Sequence, residues 1–263
     1  MKKVYHLGLL GRDIGYSRSP KLFEEIFRRE GLIGSTYRLI DRPEVEPFVS
    51  EVRRTDHWDG FNVTTPYKTA IIPYLDRLDP LAAAVGAVNC VTCWEGLLTG
   101  YNTDVEGFAA SLREEIGTGP LPSSALILGS GGASCAVRVA LEQLGIPSET
   151  ISRSRGLTYD KLTPEQLART PLIVHAAPLG SAKYPGAKPP LPYDALPPGS
   201  AAHRPHLRAG GDPLPRRGAG ARLPHSQWSD DASRSGRGGL VPLPRPAHQR
   251  GVVLFKGLIK ANA

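Results

Sequence analysis

One continuous stretch, ALILGSGGASCAVRVALEQLG at residues 125–145, constrains the fold more than any other. Four apolar residues, a glycine-rich turn and an amphipathic helix follow one another without interruption. A strand that passes straight into a helix needs a second strand parallel to the first, because the helix has to pack back onto the sheet. The same alternation runs through most of the chain. VYHLGLLG predicts a strand, and Ser19-Pro20 opens a helix, with proline in the first turn and an apolar stripe at Leu22, Phe23, Ile26 and Phe27. STYRLID predicts a second strand and Glu44 to Arg53 a helix. DGFNVTTP predicts a third strand ending in a proline turn, and Tyr67 to Arg77 another helix. GAVNCVTCWEG and LLTGYNTD predict two strands joined by a Glu-Gly turn. Asp104 heads a helix with Phe108, Leu112 and Ile116 on one face. Past the linker GTGPLPSS, strands are expected at ALIL, SETIS and PLIVHAAPLG. The expected class is α/β with parallel sheets.

This periodicity stops after Ala201. Residues 202–250 contain no Ile, Phe, Tyr, Met, Lys or Glu and are rich in Pro, Gly, Arg and His. That composition builds no packed core, so residues 202–263 are expected to be disordered. They also account for the net charge of +7. Nine Arg against three Asp give residues 202–250 a charge of +6, and Lys256 and Lys260 add +2, which leaves residues 1–201 at −1. A near-neutral body argues against a nucleic-acid-binding protein. No apolar run approaches the roughly 18 residues of a membrane span. The opening MKKVYHLGLL begins like a secretion signal, but Gly11, Arg12 and Asp13 stand where small cleavage-site residues belong, so a first buried strand of a cytoplasmic protein is expected. The three cysteines, Cys90, Cys93 and Cys135, form no disulfide framework. Cys90-Val-Thr-Cys93 lacks the second ligand pair of a zinc site, and no metal is expected.

Several polar groups stand out. Gly129, Ser130, Gly131, Gly132, Ala133 and Ser134 lie between strand and helix, where glycines let backbone approach a pyrophosphate at the positive helix start. An ordinary glycine turn would have the same composition. The next strand ends in Ser152-Arg153-Ser154-Arg155 and carries no carboxylate for a ribose hydroxyl. Guanidinium and hydroxyl groups suit a ribose 2′-phosphate, hence NADP rather than NAD, although a solvated basic turn reads alike. Ser17 and Ser19 precede a helix, where hydroxyls either bind a ligand or cap the helix. Thr64 and Lys68 lie in NVTTPYK, with Lys68 in the first turn of the following helix. The helix dipole disfavours a cation there, which points to function. Asn89 ends GAVN and Asp104 ends GYNTD; an N-cap role would also explain Asp104.

The series GYSRSP, NVTTPYK, GAVN, GYNTD, GSGGAS and SRS, in this order, resembles the shikimate dehydrogenase family from roughly Tyr5 to Pro198. The resemblance implies an N-terminal α/β substrate domain at 1–108 and a Rossmann-like parallel-sheet NADP domain at 109–201. It implies NADP-dependent reduction of 3-dehydroshikimate to shikimate, in the route to chorismate and the aromatic amino acids, by a cytoplasmic monomer or homodimer acting on small molecules. Ser17 and Ser19 would bind the substrate carboxylate. Thr64, Asn89 and Asp104 would hold ring hydroxyls, and Lys68 and Asp104 would form the catalytic pair. Gly129 to Ser134 would cradle the pyrophosphate, and Ser152, Arg153 and Ser154 would meet the NADP phosphate. The chain departs from the family at His175-Ala-Ala177-Pro178-Leu-Gly180, where the family has Asn-Ala-Thr-Pro-x-Gly; His175 reads as a buried neutral histidine or as a wall of the cofactor cleft. Quinate/shikimate dehydrogenases using NAD share most of these motifs, and Ser152-Arg153 argues against that alternative.

The family's C-terminal segments are missing, and with them a tyrosine and a glutamine that help close the substrate site. They reappear in another reading frame. RPHLRAGGDPL, Arg204 to Leu214, can be encoded so that removing the first base yields Asp-Leu-Ile-Tyr-Ala-Pro-Glu-Glu-Thr-Arg, the expected tyrosine-bearing strand. At the same offset, Pro224 to Arg234 can be read as Arg-Thr-x-Asn-Gly-Leu-Thr-Met-Leu-Arg, and Gly238 to Pro244 as Ala-Ala-Trp-Ser-Leu-Tyr. Three matches in one register and in family order imply one extra base near Ala202-His203. A nucleic-acid-binding tail of Arg, Gly and Pro would have no reason to contain that frame.

Overall fold

The computed structural model describes residues 3–153, 156–177, 179, 187–192 and, for the backbone, 201–203. The disorder expected of the tail is corrected at Ala202 and His203, which form a strand with Ala201 through parallel pairing. For residues 204–263 that expectation, and those for Ser154, Arg155, Pro178 and Gly180, fall outside the described residues. Two compact units are formed, the first running to Thr103 and the second starting at Asp104.

The first unit comprises β1 (His6–Gly11), α1 (Ser19–Glu30), β2 (Thr36–Asp41), α2 (Glu46–Arg54), β3 (Gly60–Val63), α3 (Tyr67–Ala70), β4 (Arg77–Leu78), α4 (Pro80–Val85), β5 (Cys90–Trp94) and β6 (Leu97–Tyr101). The sheet order is β2-β1-β3-β5-β6-β4. β1 runs parallel to β2 and β3, whereas β5 is antiparallel to β3 and β6. The sheet is thus mixed rather than parallel throughout. The β5–β6 hairpin turns at Glu95 and Gly96, both with positive φ, as the expected Glu-Gly turn requires.

Both faces of this sheet are covered, which explains why β1 is apolar without alternation. On one face, Phe23, Ile26 and Phe27 of α1 pack against Tyr5, Leu7 and Cys90. On the other, Phe48, Val49 and Val52 of α2 pack against Leu10, Ile40, Phe61, Val91 and Leu98. Each fully buried side chain of this size contributes about 1.5–3 kcal/mol. α1 stops at Gly31, in the left-handed conformation at φ 63°, whose N–H donates to Arg28 O.

Two expected helices are corrected. The second starts at Glu46, two residues late, with Pro47 in its first turn. The helix expected from Tyr67 to Arg77 ends at Ala70 and is followed by a single 3-10 turn at Ile72–Tyr74 and by β4. Pro73 supplies no N–H to an α-helix. Asp76 then turns the chain into the sheet: its N–H donates to Leu98 O at 2.9 Å and its carboxylate accepts from Leu98 N at 2.7 Å.

The second unit comprises α5 (Asp104–Ile116), β7 (Ala125–Leu128), α6 (Gly132–Gln143), β8 (Ser148–Ser152), β9 (Leu157–Thr158), α7 (Pro164–Arg169), β10 (Leu172–His175) and β11 (Ala201–His203). All neighbouring strands are parallel, in the order β11-β10-β7-β8-β9. β7 and β10 are buried throughout. Leu126, Leu128, Ile151 and Ile173 share a core with Leu162, Leu167 and Leu191. The short α7 is held by a reciprocal cap: Thr163 Oγ1 accepts from Gln166 N, and Gln166 Oε1 from Thr163 N. The strand order reverses at β7, and in such sheets ligands bind beyond the strand ends at the reversal point. Among the described residues, no helix is long and apolar enough to cross a membrane.

Candidate active site

The sheet of the first unit gathers several chain segments at one end. β1 and β3 finish there at Gly11 and Val63. Antiparallel β5 starts there, with Cys90 opposite Asn62, and β6 ends there with Tyr101 opposite Cys90. The segments leaving this end carry Ser17 and Ser19, Thr64 and Lys68, Asn89, and Thr103.

Asn89 joins three of them. Its backbone carbonyl accepts from Val63 N at 2.9 Å and from Asn62 Nδ2 at 3.2 Å, and its N–H donates to Tyr101 O at 3.0 Å. Its side-chain oxygen accepts from Thr103 N at 2.9 Å, and its Nδ2 donates to Thr103 Oγ1 at 3.0 Å. Lys68 is tied to the same cluster, since its carbonyl accepts from Val88 N at 2.7 Å. Thr64 N donates to Leu10 O at 2.9 Å, which fixes the start of the loop. Tyr67 sets its orientation by donating from its hydroxyl to Arg42 O at 2.7 Å. A Cβ at Gly11 would stand 2.6 Å from Thr64 Cγ2, so glycine is what lets the loops after β1 and β3 meet.

Thr64 and Lys68 are half-buried, and Asn89 is buried. Asp104, also buried, follows Thr103 directly as the first residue of α5 and of the second unit. The N-cap position of α1 is Arg18, whose own side chain makes no cap bond, while Ser17 Oγ accepts from the Ser19 N–H, the first of the helix, at 3.3 Å. Ser17 Oγ also donates to Ser19 Oγ at 3.0 Å, and Ser19 is wholly buried. The structure therefore joins Asn89, Thr64 and Lys68 through main-chain bonds and pairs Ser17 with Ser19. It adds Asn62 and Thr103, neither of which the sequence singles out, and the half-buried Tyr37, whose hydroxyl donates to Asn62 Oδ1 at 2.9 Å. Asn62 sits inside a quoted motif and was within reach of that signal; Tyr37 reads as an ordinary core aromatic.

In the second unit, the glycine loop emerges from β7. Gly129 adopts φ 123°, and a Cβ there would stand 3.0–3.1 Å from backbone atoms of Ala176 and Ala177. Its N–H donates to Ile151 O at 2.8 Å, and the buried Ser134 hydroxyl closes the loop onto the Gly129 carbonyl. Ser134 thus braces the loop from inside. Ser130 and Gly131 are exposed, and Gly132 and Ala133 are half-buried. Gly131, the N-cap of α6, makes no side-chain cap bond, and a Cβ on it would meet open space. A free amide end of a twelve-residue helix, fronted by open glycine backbone, fits a pyrophosphate. Ser152 is buried at the end of β8 and Arg153 is exposed beside it, which fits a further phosphate. His175 is buried at the end of β10.

Cys90 and Cys93 belong to the two separate cores on opposite faces of the sheet, so strand alternation accounts for the CxxC spacing. Burial pushes the Cys93 thiol up to about 12, with Asp59 adding to the effect and Arg53 opposing it. Among the described residues, no group of three or more His, Cys, Asp or Glu could hold a metal ion.

Residues 9–91 match the sequence profile of the shikimate dehydrogenase substrate binding domain. The chain is 38% identical over 222 residues to a Streptomyces avermitilis shikimate dehydrogenase (NADP(+)), covering 74% of this chain and 75% of the relative. It is 37% identical over 184 residues to one from Bacillus cereus, where it spans 64% of the relative's length and the match 70% of this chain. Among solved structures, a Thermus thermophilus shikimate 5-dehydrogenase in complex with NADP(H) and shikimate superposes with a TM-score of 0.67. That pair is 33% identical and covers 76% of this chain and 78% of the other. A Corynebacterium glutamicum quinate dehydrogenase in complex with NAD superposes at 0.68, with 25% identity, 77% coverage of this chain and 80% of the other.

Proposed function

Because the chain belongs to the shikimate dehydrogenase family, we propose that it interconverts 3-dehydroshikimate and shikimate with NADP as cofactor. The observation that carries this reading is the cluster in which Asn89 binds Asn62, Thr103 and the loop that bears Lys68, at one end of one sheet. A small polyhydroxylated acid needs such a set: hydroxyl and amide groups for its ring oxygens, hydroxyls for its carboxylate, and one proton donor.

When bound, NADPH supplies the hydride to the ring ketone. Lys68 then meets the negative charge that develops on the ketone oxygen and delivers a proton from its Nζ, a contribution of typically 10²–10⁴-fold. Asp104 orients that ammonium group and a ring hydroxyl. Thr64 and Asn89 hold the remaining ring hydroxyls, and Ser17 and Ser19 hold the carboxylate. Gly129 to Ser134 offer main-chain amides to the pyrophosphate, while Ser152, Arg153 and Ser154 take the 2′-phosphate. Residues 1–108 act as the substrate domain and 109–201 as the cofactor domain, in a cytoplasmic monomer or homodimer with no nucleic-acid or membrane partner. The chain as written lacks the tyrosine and glutamine that help close the substrate site and is expected to be inactive or unstable. The test is therefore NADPH oxidation with 3-dehydroshikimate, and shikimate binding by titration calorimetry, by the chain with its reading frame restored near Ala202-His203. Turnover with a strong preference for NADPH over NADH is expected; equal use of NADH would remove the phosphate assignment, and no response to either compound would sink the reading.

We further propose that the coding sequence gained one base near Ala202-His203. β11 ends at His203, paired in parallel with β10, and the recovered Asp-Leu-Ile-Tyr starts at the next residue and continues it with strand-forming side chains. Sequencing across the codons for Pro198 to Arg208 decides the matter: codons that cannot encode the recovered segments would refute it.

A further inference from the structure

We propose that Tyr37 is a positioning residue that couples the carboxylate-binding serines to Asn62 and the hydroxyl-binding Asn89 through one chain of hydrogen bonds. The proposal rests on the functional reading above and adds to it a residue outside every motif discussed so far.

Tyr37 lies on β2, and Asn62 lies on β3, with β1 between them. The tyrosine side chain therefore crosses a whole strand to donate to Asn62 Oδ1 at 2.9 Å. Asn62 Nδ2 continues to Asn89 O, and the Asn89 side chain to Thr103. In the other direction, the Ser19 hydroxyl bonds the Tyr37 phenol, and Ser17 Oγ donates to Ser19 Oγ. The chain thus reads Ser17, Ser19, Tyr37, Asn62, Asn89, Thr103.

The phenol joins Ser19, at the start of α1, to Asn62 of β3, alongside the main-chain bond from Arg12 N to Thr65 O at 3.4 Å. Its ring is fixed by stacking on Phe23, with centroids 3.9 Å apart and planes 14° from parallel. Burial also raises the phenol pKa, despite the opposing Ser19 bond, so the hydroxyl keeps its proton to donate. With that proton committed to Asn62 Oδ1, the Asn62 amide must face Asn89 with its NH₂ group. A phenylalanine at 37 would keep the stack and release both ends: Asn62 could then flip, and Ser19 would lose its acceptor. Both changes misplace groups that meet the substrate, while every residue linked by these bonds belongs to the first unit.

The experiment compares the chain with its reading frame restored near Ala202-His203 with its Tyr37→Phe, Ser19→Ala and double variants, each titrated calorimetrically with shikimate and with NADP. We expect Tyr37→Phe to weaken shikimate binding about tenfold, the scale of one or two lost buried hydrogen bonds, with NADP binding unchanged within twofold. In steady state the change should fall on KM for shikimate and not on kcat. The double variant should be no weaker than the worse single one, because both act through one chain. Shikimate affinity unchanged in Tyr37→Phe, or penalties that multiply in the double variant, would overturn the coupling while leaving the enzyme assignment intact. If Tyr37→Phe does not fold, a crystal structure of the restored chain with shikimate decides: Tyr37 bonded to both Ser19 and Asn62 supports the proposal, and a hydroxyl turned to solvent or to the substrate refutes it. A restored chain that binds no shikimate refutes the functional reading itself.

Discussion

The two units solve their recognition problems with different materials. In the first, Ser17, Ser19, Asn62, Asn89 and Thr103 are side chains locked to one another by hydrogen bonds. In the second, the loop from Gly129 to Gly131 offers main chain, and its one side-chain brace, Ser134, points inward. The difference follows from the ligands each region suits. A ring of hydroxyls is told from its analogues only by hydrogen-bonding groups at fixed points. A pyrophosphate presents diffuse charge, which amide dipoles at a helix start satisfy without specific side chains. The first design depends on which residues are present; the second depends on which are absent.

That contrast can be broken most sharply at Lys68. Lys68→Ala should reduce turnover about 10²–10⁴-fold, with shikimate affinity within a fewfold of wild type and NADP binding untouched. Retention of most of the turnover would remove Lys68 from the chemistry. Gly129→Ala tests the opposite rule. A side chain at φ 123°, 3.0 Å from the Ala177 nitrogen, introduces roughly 1–3 kcal/mol of strain. NADP binding should weaken roughly 5- to 100-fold, with shikimate binding by the first unit preserved. Equal loss of both ligands would show that the two regions are not independent. The smallest effect concerns acid. Asp76 is held below its ordinary pKa, first by the hydrogen bond from Arg53 and then by the Leu98 N–H, with burial opposing. A depressed carboxylate stabilises above its unfolded pKa, about 3.9, and loses that contribution as pH falls through the folded value. Arg53 and Asp76 are 39% and 28% exposed, so Arg53→Ala should cost only about 0.2–1 kcal/mol near neutral pH. Thermal unfolding against pH should show that difference closing in acid; a penalty equally large at both ends of the range would discard the ion pair as its cause.

Much of this was legible in the residues. The βα units were visible because apolar runs and amphipathic stripes alternate, and the hairpin because Glu95-Gly96 is turn chemistry. The loop at Gly129 was visible because its glycines occur between a strand and a helix. The helix expected from Tyr67 to Arg77 failed because Leu98, distant in sequence, draws Asp76 into the sheet, and pattern reading sees only neighbours. Tyr37 was hidden for a related reason. Its ring obeys the rule for core aromatics, and only the register of three strands brings its hydroxyl to Asn62. Ser17 and Ser19 stand in a place where a cap and a ligand site look alike, and the bond from the Ser19 N–H to Ser17 Oγ keeps the two readings side by side.

The crowding at Gly129 has a consequence on the scale of descent. Every single-nucleotide change that alters a glycine codon without stopping translation installs a residue with a Cβ. At position 129 each such neighbour meets the Ala176–Ala177 backbone in a conformation that L-residues avoid. Every adjacent state in sequence space therefore carries strain of about 1–3 kcal/mol at this position, so a lineage that leaves glycine here weakens its cofactor binding in that step.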